Sequence, residues 1–281
     1  MIALISNDAG GAEFIGRYAL KQKEDFCIAA KGPAKKIFFK LFKKKKIINV
    51  NKAIKKSDWV LCSTGTSSNY EKNAMINAKK QKKKLIAYID HWVEYKKRFL
   101  KNNKLIRPDE IWVSDKYAFF EAQKNNFKNI KIKGNPLIND FIRFKNLNSF
   151  KSKKNILFLS EPVSIEDRKY YTELKCIKYF IKNLEKLKFK FNKIQIRPHP
   201  SENLLKFSKI KKLSSKIFIS KKNDIYYDIL SNDYIIGINT IALVLGLIAN
   251  KKVISCIPGI KKCKLPHKNI LSFKELINEK R

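Results

Sequence analysis

Short apolar segments alternate with helical patterns along most of the chain. Ile2 to Ile5 and Trp59 to Cys62 have the length and composition of buried strands, and each is followed by a polar turn and a helical pattern. Strands separated by helices in this way form βαβ units, in which the strands are parallel. The sequence therefore predicts an α/β fold built on mainly parallel sheets.

A stretch rich in Lys, Asn and Ser divides this pattern into two halves. It runs from Phe144 to Lys154 and has few apolar positions, which is typical of a domain boundary. A new apolar strand then begins at Asn155. We predict two Rossmann-like, doubly wound domains, residues 1–145 and 153–281, that face a central cleft.

The composition allows a substantial core and indicates a reducing compartment. Hydrophobic residues make up 44% of the 281 residues. No apolar run reaches the roughly 18 residues of a membrane span, and the N-terminus has no signal-peptide pattern. The five cysteines are an odd number without a CxxC pair, which argues against disulfides and structural zinc. We therefore expect a cytoplasmic protein.

The formal net charge of +38 has two interpretations. It could serve a polyanionic partner, either a nucleic acid or the anionic face of a membrane. Alternatively it reflects composition alone, because Lys, Asn and Ile are abundant everywhere and Arg is scarce. No nucleic-acid-binding motif is present, so we expect no specific nucleic acid. Peripheral contact with anionic lipid at the inner membrane face stays open.

The first strand leads into a turn that contains Asp8, Gly10, Gly11 and Glu13. A helix that begins after such a turn can offer free N–H groups to phosphate or sugar oxygens, and glycines let a ligand approach closely. The alternative is a tight strand-to-helix turn without a ligand. GxGxxG is absent, so a dinucleotide fingerprint is not supported.

Two further strands of the first half end in polar residues. Thr64, Gly65 and Thr66 belong to a second possible anion-binding turn. The alternative is a simple N-cap by Ser68 or Asn69, and the two can hold together. Asp90 and His91 end another strand, where Asp90 could orient His91 or act as a base itself. The alternative there is an Asp–backbone turn.

In the second half, the strand around Ile194 and Ile196 is ended by prolines, which cannot donate to a ladder. Arg197 and His199 are therefore placed at the carboxyl end of a strand, the edge where open α/β sheets bind ligands. A forked cation and an imidazole suit a phosphate. The alternative is a turn in which His199 caps the strand.

The arrangement resembles the GT-B fold of nucleotide-sugar glycosyltransferases. Arg197-Pro198-His199-Pro200 is similar to the His-Pro motif of bacterial sialyltransferase, polysialyltransferase and capsule or teichoic-acid transferase families. A later turn at a helix start matches Gly237-Ile238-Asn239-Thr240, with Asn239 where those families usually have Ser or Thr. The segments beginning at Asp90 and Pro108 also resemble uncharacterised bacterial surface-polysaccharide proteins.

The resemblance implies a glycosyltransferase that moves a sugar from a CMP-sugar, such as a CMP-nonulosonic acid, or from a UDP-sugar onto a glycan or protein acceptor. It implies no cofactor and no metal. The residues assigned to donor binding are Arg197, Pro198, Ser160, Glu161, Asn239, Thr240, Gly10 and Gly11. His199 is expected to stabilise the leaving phosphate, and the base is expected to be Asp8, Glu13 or Asp90. The residues assigned to the acceptor or the cleft are Thr64, Gly65, Thr66 and His91.

Two other functions stay open from the sequence. A sugar-nucleotide epimerase or hydrolase of the same fold would share the phosphate site but need no acceptor. A basic nucleic-acid or membrane-surface protein would be indifferent to substitution of His199.

Overall fold

The computed structural model describes residues 1–43, 45–66, 68–151, 153–163, 167–199, 202–220, 224–259 and 263–278. Contacts between Cα atoms divide the chain into two compact units, Met1–Asp140 and Phe141–Arg281. The domain ranges expected from the sequence, 1–145 and 153–281, stay a prediction.

The first unit alternates strands and helices from its first residues. Its strands are β1 (Ile2–Ser6), β2 (Phe26–Ala30), β3 (Trp59–Ser63), β4 (Lys84–Ile89), β5 (Leu100–Lys101), β6 (Lys104–Leu105), β7 (Glu110–Val113) and β8 (Ile130–Ile132). Its helices are α1 (Ala9–Leu20), α2 (Ala34–Phe42), α3 (Val50–Lys56), α4 (Tyr70–Lys80), α5 (Tyr95–Phe99) and α6 (Lys116–Lys124). Helix α7 (Pro136–Leu147) continues from this unit into the second.

Six of these strands form a parallel sheet in the order β2-β1-β3-β4-β7-β8. Helices α1 and α4 both pack on β1, β3 and β4, with α2 beside α1 and α3 beside α4. The sheet is thus covered on both faces. All five residues of β1 are therefore buried, and the strand is a nearly continuous apolar run instead of an alternation of apolar and polar residues.

The second unit repeats the architecture. Its strands are β9 (Ile156–Leu159), β10 (Ile194–Arg197), β11 (Ile217–Ile219), β12 (Tyr234–Gly237), β13 (Lys252–Ser255) and β14 (Leu271–Ser272). Its helices are α8 (Glu173–Lys182), α9 (Ser208–Lys211), α10 (Ile225–Leu230), α11 (Ile241–Ile248) and α12 (Phe273–Asn278). Short 3₁₀ turns cover Asp167–Lys169, Leu184–Lys186 and Leu204–Phe207.

The second sheet is also parallel and six-stranded, in the order β11-β10-β9-β12-β13-β14. Its core contains Phe158 of β9, Phe180 of α8 and Phe273 of α12, with Phe180 in ring contact with both of the others. The α/β fold with two parallel sheets, predicted from the alternation of strands and helices, is confirmed.

Two predicted elements are wrong in extent. The apolar residues from Ile47 to Val50 predict a third strand in the sequence. The structure has a single bridge between Ile47 and Ile28, because the Asn49 side chain accepts the Asn51 N–H and starts α3. The sequence also predicts a long helix from about Glu166 to Leu187, whereas α8 is shorter. Its predicted start lies outside the described residues, and Thr172 caps α8, accepting the Lys175 N–H at 3.2 Å.

Among the described residues, every helix is too short or too polar to cross a lipid bilayer.

Candidate functional site

Each sheet has one place where the strand order reverses. In the first unit the chain moves from β1 to β2 on one side and returns to β3 on the other. In the second it moves from β9 through β10 to β11 and returns to β12, which lies against β9. The crevice outside the carboxyl ends of such strand pairs is where doubly wound sheets bind ligands. The two candidate sites therefore lie after β1 and β3, and after β9 and β12.

In the first unit, the turn after β1 is built around the start of α1. Asp8 is the N-cap, and its Oδ1 accepts the Ala9 N–H at 2.7 Å. A Cβ on Gly11 would lie 2.3 Å from the Ser63 Cβ, and one on Gly10 would lie 2.4 Å from Asp90 Oδ2. The two glycines therefore let α1 approach the ends of β3 and β4. A role in ligand approach stays a prediction.

Glu71 of α4 joins the turns after β1 and β3. Its Oε1 accepts the N–H of Asn7 at 2.7 Å and that of Asp8 at 3.2 Å, and Ser63 Oγ lies 3.4 Å away. The residue is fully buried, and desolvation raises its pKa although the two backbone N–H groups act in the opposite direction. Glu71 thereby fixes the backbone that positions Asp8.

Our sequence reasoning missed Glu71. The signal that could have found it is the spacing Ser68-x-x-Glu71, which is typical of a capping box. In the structure Ser68 Oγ accepts the Tyr70 N–H at 3.2 Å and lies 3.4 Å from Glu71 Oε2. Glu71 Oε2 thus contacts the Ser68 hydroxyl and not the backbone N–H that a capping box would use, and Oε1 serves the neighbouring strand end.

Asp90, at the end of β4, forms an ion pair with Arg98, which is 6% exposed. Arg98 Nη1 lies 3.1 Å from Asp90 Oδ1 and donates to the Thr64 carbonyl at 2.6 Å. The Thr64 hydroxyl in turn donates to the Tyr88 carbonyl at 3.0 Å. Arg98 therefore ties the ends of β3 and β4 together. It is the second residue that sequence reasoning missed.

The remaining residues predicted in this unit lie around that cluster. His91 is half-buried with its ring 5.5 Å from Trp92, and the buried Trp92 indole donates to Asp115 at 2.8 Å. Gly65 is buried, and Thr66 is half-buried. Glu13 is held by Arg17 at 2.8 Å, one helical turn along α1.

In the second unit, Glu161 occupies the reversal point. Its Oε1 accepts the N–H of Asn239 at 2.7 Å, which joins the end of β9 to the end of β12. The residue is partly exposed, but its carboxyl group is enclosed by protein, and this desolvation raises its pKa to about 7. Glu202 raises the pKa further and Lys264 lowers it. Glu161 can therefore hold or release a proton near neutral pH.

Asn239 and Thr240 form the start of α11. Thr240 is its N-cap, with Oγ1 3.4 Å from the Ala242 N–H. Asn239 Oδ1 accepts the Lys264 N–H at 3.1 Å. The Lys264 ammonium lies 2.7 Å from Asp167. The amino end of this eight-residue helix favours an anion, whereas the Lys264 ammonium is paired with Asp167.

Arg197, at the end of β10, forms an ion pair with Asp228, which is 1% exposed. Asp228 also accepts the Ser220 hydroxyl at 2.9 Å, and Ser220 Oγ accepts from Gln195 at 3.0 Å. Asp228 is the partner that sequence reasoning did not find for Arg197. The side chain of Arg197 is 17% exposed.

His199 follows as an exposed residue whose backbone N–H donates to Glu202 Oε2 at 2.6 Å. The other oxygen of Glu202 accepts the Ser160 hydroxyl at 3.0 Å and the Lys206 ammonium at 2.6 Å. Glu202 thus holds the turns after β9 and β10 together. Pro198 is half-buried, and Pro200 lies outside the described residues.

The structure therefore brings together the predicted residues of each unit at its own carboxyl edge. In the first unit these are Asp8, Gly10, Gly11, Thr64, Gly65 and Asp90. In the second they are Ser160, Glu161, Arg197, Pro198, His199, Asn239 and Thr240. Among the described residues, no group of three His, Cys, Asp or Glu side chains is arranged to hold a metal ion.

The fold is similar to that of several solved structures. The structure of S. aureus MnaA with UDP shares 13% identity over 90% of this chain and 78% of that chain, with a TM-score of 0.65. The Methanocaldococcus jannaschii UDP-GlcNAc 2-epimerase with UDP-GlcNAc and UDP shares 14% identity over 90% and 83%, with a TM-score of 0.61. A glycotransferase of kitacinnamycin shares 9% identity over 90% and 79%, with a TM-score of 0.54.

No protein-family model matches the chain, and no curated protein sequence matches it. At these identities the structural similarity establishes the fold, which is the two-sheet architecture of these proteins.

Proposed function

We propose that the protein is an enzyme that binds a UDP-sugar and changes the configuration of its sugar, as a 2-epimerase does. The observation that carries the proposal is the reversal point of the second unit, where Glu161, Asn239 and the start of α11 meet at one crevice. Similar folds have been solved with UDP and with UDP-GlcNAc bound, which favours this nucleotide over CMP.

The nucleotide phosphates would lie at the carboxyl edge of the second sheet. Arg197, whose side chain is 17% exposed and pairs with Asp228, and the backbone at the start of α11 supply donors there. The Asn239 N–H already donates to Glu161 and becomes available only when that carboxyl group moves. His199 is exposed beside them and can donate a proton or a hydrogen bond to a phosphate oxygen. The charge that develops on a departing nucleotide would be stabilised by these groups.

Epimerisation at C2 needs one group that removes the C2 proton while the C1–O bond to the nucleotide breaks and a C1=C2 double bond forms. It needs another group that returns a proton to C2 while the nucleotide adds back to C1. The candidate carboxyl groups are Asp8 at the reversal point of the first sheet, Asp90 at the end of β4, and Glu161 at the reversal point of the second sheet. Asp90 is held by Arg98 and Asp8 caps α1, so Glu161, with its pKa of about 7, is suited to carry a proton at neutral pH.

Transfer of the sugar to an acceptor is the second candidate function. The Arg197-Pro198-His199 sequence and the similarity to a glycotransferase favour it. The same phosphate site would serve, and the base for the acceptor hydroxyl, expected from the sequence to be Asp8, Glu13 or Asp90, stays a prediction.

Ligand binding can be tested by thermal unfolding with UDP, UDP-GlcNAc and CMP. A ligand that binds only the folded protein raises the unfolding midpoint. We expect UDP and UDP-GlcNAc to raise it and CMP to leave it nearly unchanged. If CMP alone raises the midpoint, the substrate is a CMP-sugar and not a UDP-sugar. If no nucleotide changes the midpoint, the protein is not a nucleotide-sugar enzyme.

The reaction can be followed by NMR with UDP-GlcNAc in D₂O and no acceptor. An epimerase should form the C2 epimer and place deuterium at C2, because the proton is returned from a group that exchanges with solvent. We expect His199→Ala to retain its fold by circular dichroism and to react at least tenfold more slowly. Consumption of the sugar only after a glycan acceptor is added, without deuterium at C2, would show transfer instead.

A further inference from the structure

Helix α2 presents a cationic face with one aromatic ring at its centre. Its apolar side is buried through Ala34, Phe38 and Phe42. Phe39 points the other way and is 72% exposed, whereas Phe38 beside it is 1% exposed. Phe39 therefore gains nothing from the core of the unit, although the same helix buries two other phenyl rings.

Four lysines surround this ring on the same side of the helix. Lys35 and Lys43 lie one turn before and after Phe39, Lys36 lies three residues before it, and Lys40, the next residue, lies about 100° around the helix; none of the four is buried. Within the part of the chain that the structure describes, none of the four forms an ion pair. We call Lys35, Lys36, Phe39, Lys40 and Lys43 the α2 face.

The surrounding sequence contains no charge that would neutralise this face. Residues 26–57 include eleven lysines and no Asp or Glu. The α2 face is thus a local concentration of positive charge, beyond the general lysine content of the chain.

We propose that the α2 face docks the protein on the surface of an anionic lipid bilayer. The helix would lie along the membrane surface, with Phe39 inserted between headgroups and the four lysines against anionic lipid phosphates. An amphipathic helix binds in this way through an apolar group that enters the interface and basic residues beside it. One phenyl ring gives weak and reversible binding, so the lysines and the ring are needed together.

A bilayer fits the α2 face better than a nucleic acid does. Proteins that bind single strands without sequence preference stack successive bases on several aromatic rings along a groove. The α2 face offers one ring on the side of a helix. Its charges are lysines only, whereas bidentate recognition of individual phosphates and bases favours arginine.

The test is flotation of the full chain with phosphatidylcholine vesicles that contain or lack phosphatidylglycerol, at low salt. We expect binding to the anionic vesicles, weak binding to the neutral ones, and release at high salt. Phe39→Ser should lower the partition coefficient about tenfold. Lys36→Gln combined with Lys40→Gln should lower it about 10- to 30-fold.

Matched controls separate the α2 face from general charge. Phe120→Ser removes another exposed ring, which is 57% exposed on α6, and Lys186→Gln with Lys188→Gln removes two charges in the second unit. Both should bind anionic vesicles within about twofold of the unsubstituted protein. Thermal unfolding should show that all variants are folded.

Three outcomes would overturn the proposal. The first is that anionic vesicles fail to bind the protein, or that the controls weaken binding as much as the α2 variants do. The second is that the α2 substitutions weaken binding of a random-sequence oligonucleotide but not of vesicles. The third is that Phe39→Ser changes the oligomeric state of the protein in solution while vesicle binding stays the same. The α2 face would then be a surface between copies of the chain. The test is independent of the proposed enzymatic function.

Discussion

The titratable carboxyl group of Glu161 accepts the Asn239 backbone N–H, a donor that could otherwise bind an anion. Its pKa is raised to about 7 by desolvation, above the usual value of 4.5. Between these two pH values the unfolded chain ionises while the folded protein keeps the proton. The folded protein is therefore destabilised as pH rises through this window, and the loss is complete above about pH 7.

Substitution of Glu161 tests this linkage. Glu161→Gln removes the ionisation but keeps an oxygen that can accept the Asn239 N–H. The free energy of unfolding of the variant, relative to the unsubstituted protein, should rise by about 2 to 3 kcal/mol between about pH 4.5 and about pH 7.5. Urea denaturation at several pH values measures it. Glu275→Gln, on α12, should show no such trend. A flat difference for Glu161→Gln would mean that its carboxyl group is hydrated in the folded protein.

The ion pair between Arg197 and Asp228 is a second test at the level of single residues. Asp228→Ala leaves the largely buried Arg197 guanidinium without its carboxylate and should cost about 3 to 5 kcal/mol of unfolding free energy. Asp224→Ala, four residues earlier, removes only the exposed cap of α10 and should cost about 1 kcal/mol. Equal costs in urea denaturation would indicate that the ion pair contributes nothing beyond a cap.

The packing of α1 against β3 is decided by a glycine. A Cβ at Gly11 would meet the Ser63 Cβ at 2.3 Å, and because backbone position determines both atoms, the helix or the strand must move. Gly11→Ala should therefore destabilise the protein by about 2 to 3 kcal/mol.

Gly65→Ala is the matched comparison, since its Cβ would lie 3.5 Å from Asp8 and Glu71, which is ordinary contact. It should cost less than about 1 kcal/mol. The two variants are compared by thermal and urea unfolding. If Gly11→Ala and Gly65→Ala have the same free energy of unfolding, α1 does not approach β3 as closely as described.

At the scale of the whole molecule, a net charge of +38 acts against compaction through repulsion between like charges. Raising KCl from about 20 mM to about 300 mM shortens the Debye length from roughly 20 Å to roughly 6 Å and screens this repulsion. The thermal unfolding midpoint should rise, by roughly 2 to 4 °C for each kcal/mol regained. A midpoint that falls with KCl would show that attractive ion pairs outweigh the repulsion.

The architecture follows from local pattern. Buried strands such as β1 and β3 are continuous apolar runs, and turns and helical spacing come after them, so the alternation and the parallel sheets can be read directly. The carboxyl ends of parallel strands lie at one edge of a sheet. For this reason the sequence alone predicts that Asp8 and Asp90 lie at strand ends along one edge of the first sheet, and that Glu161 and Asn239 do so in the second.

The partners of these residues depend on the tertiary structure. Glu71 stands in a polar segment and has the spacing of an exposed capping residue, yet it is fully buried against the turn after β1, 64 residues earlier in the chain. Arg197 has the sequence of a phosphate ligand, but it pairs with Asp228, 31 residues away. A local pattern specifies which residues end a strand, because strand formation is decided by neighbours in sequence. Which side chains then meet is decided by strand order and helix packing, and these place Glu71 and Asp228 beside residues that are distant in the chain.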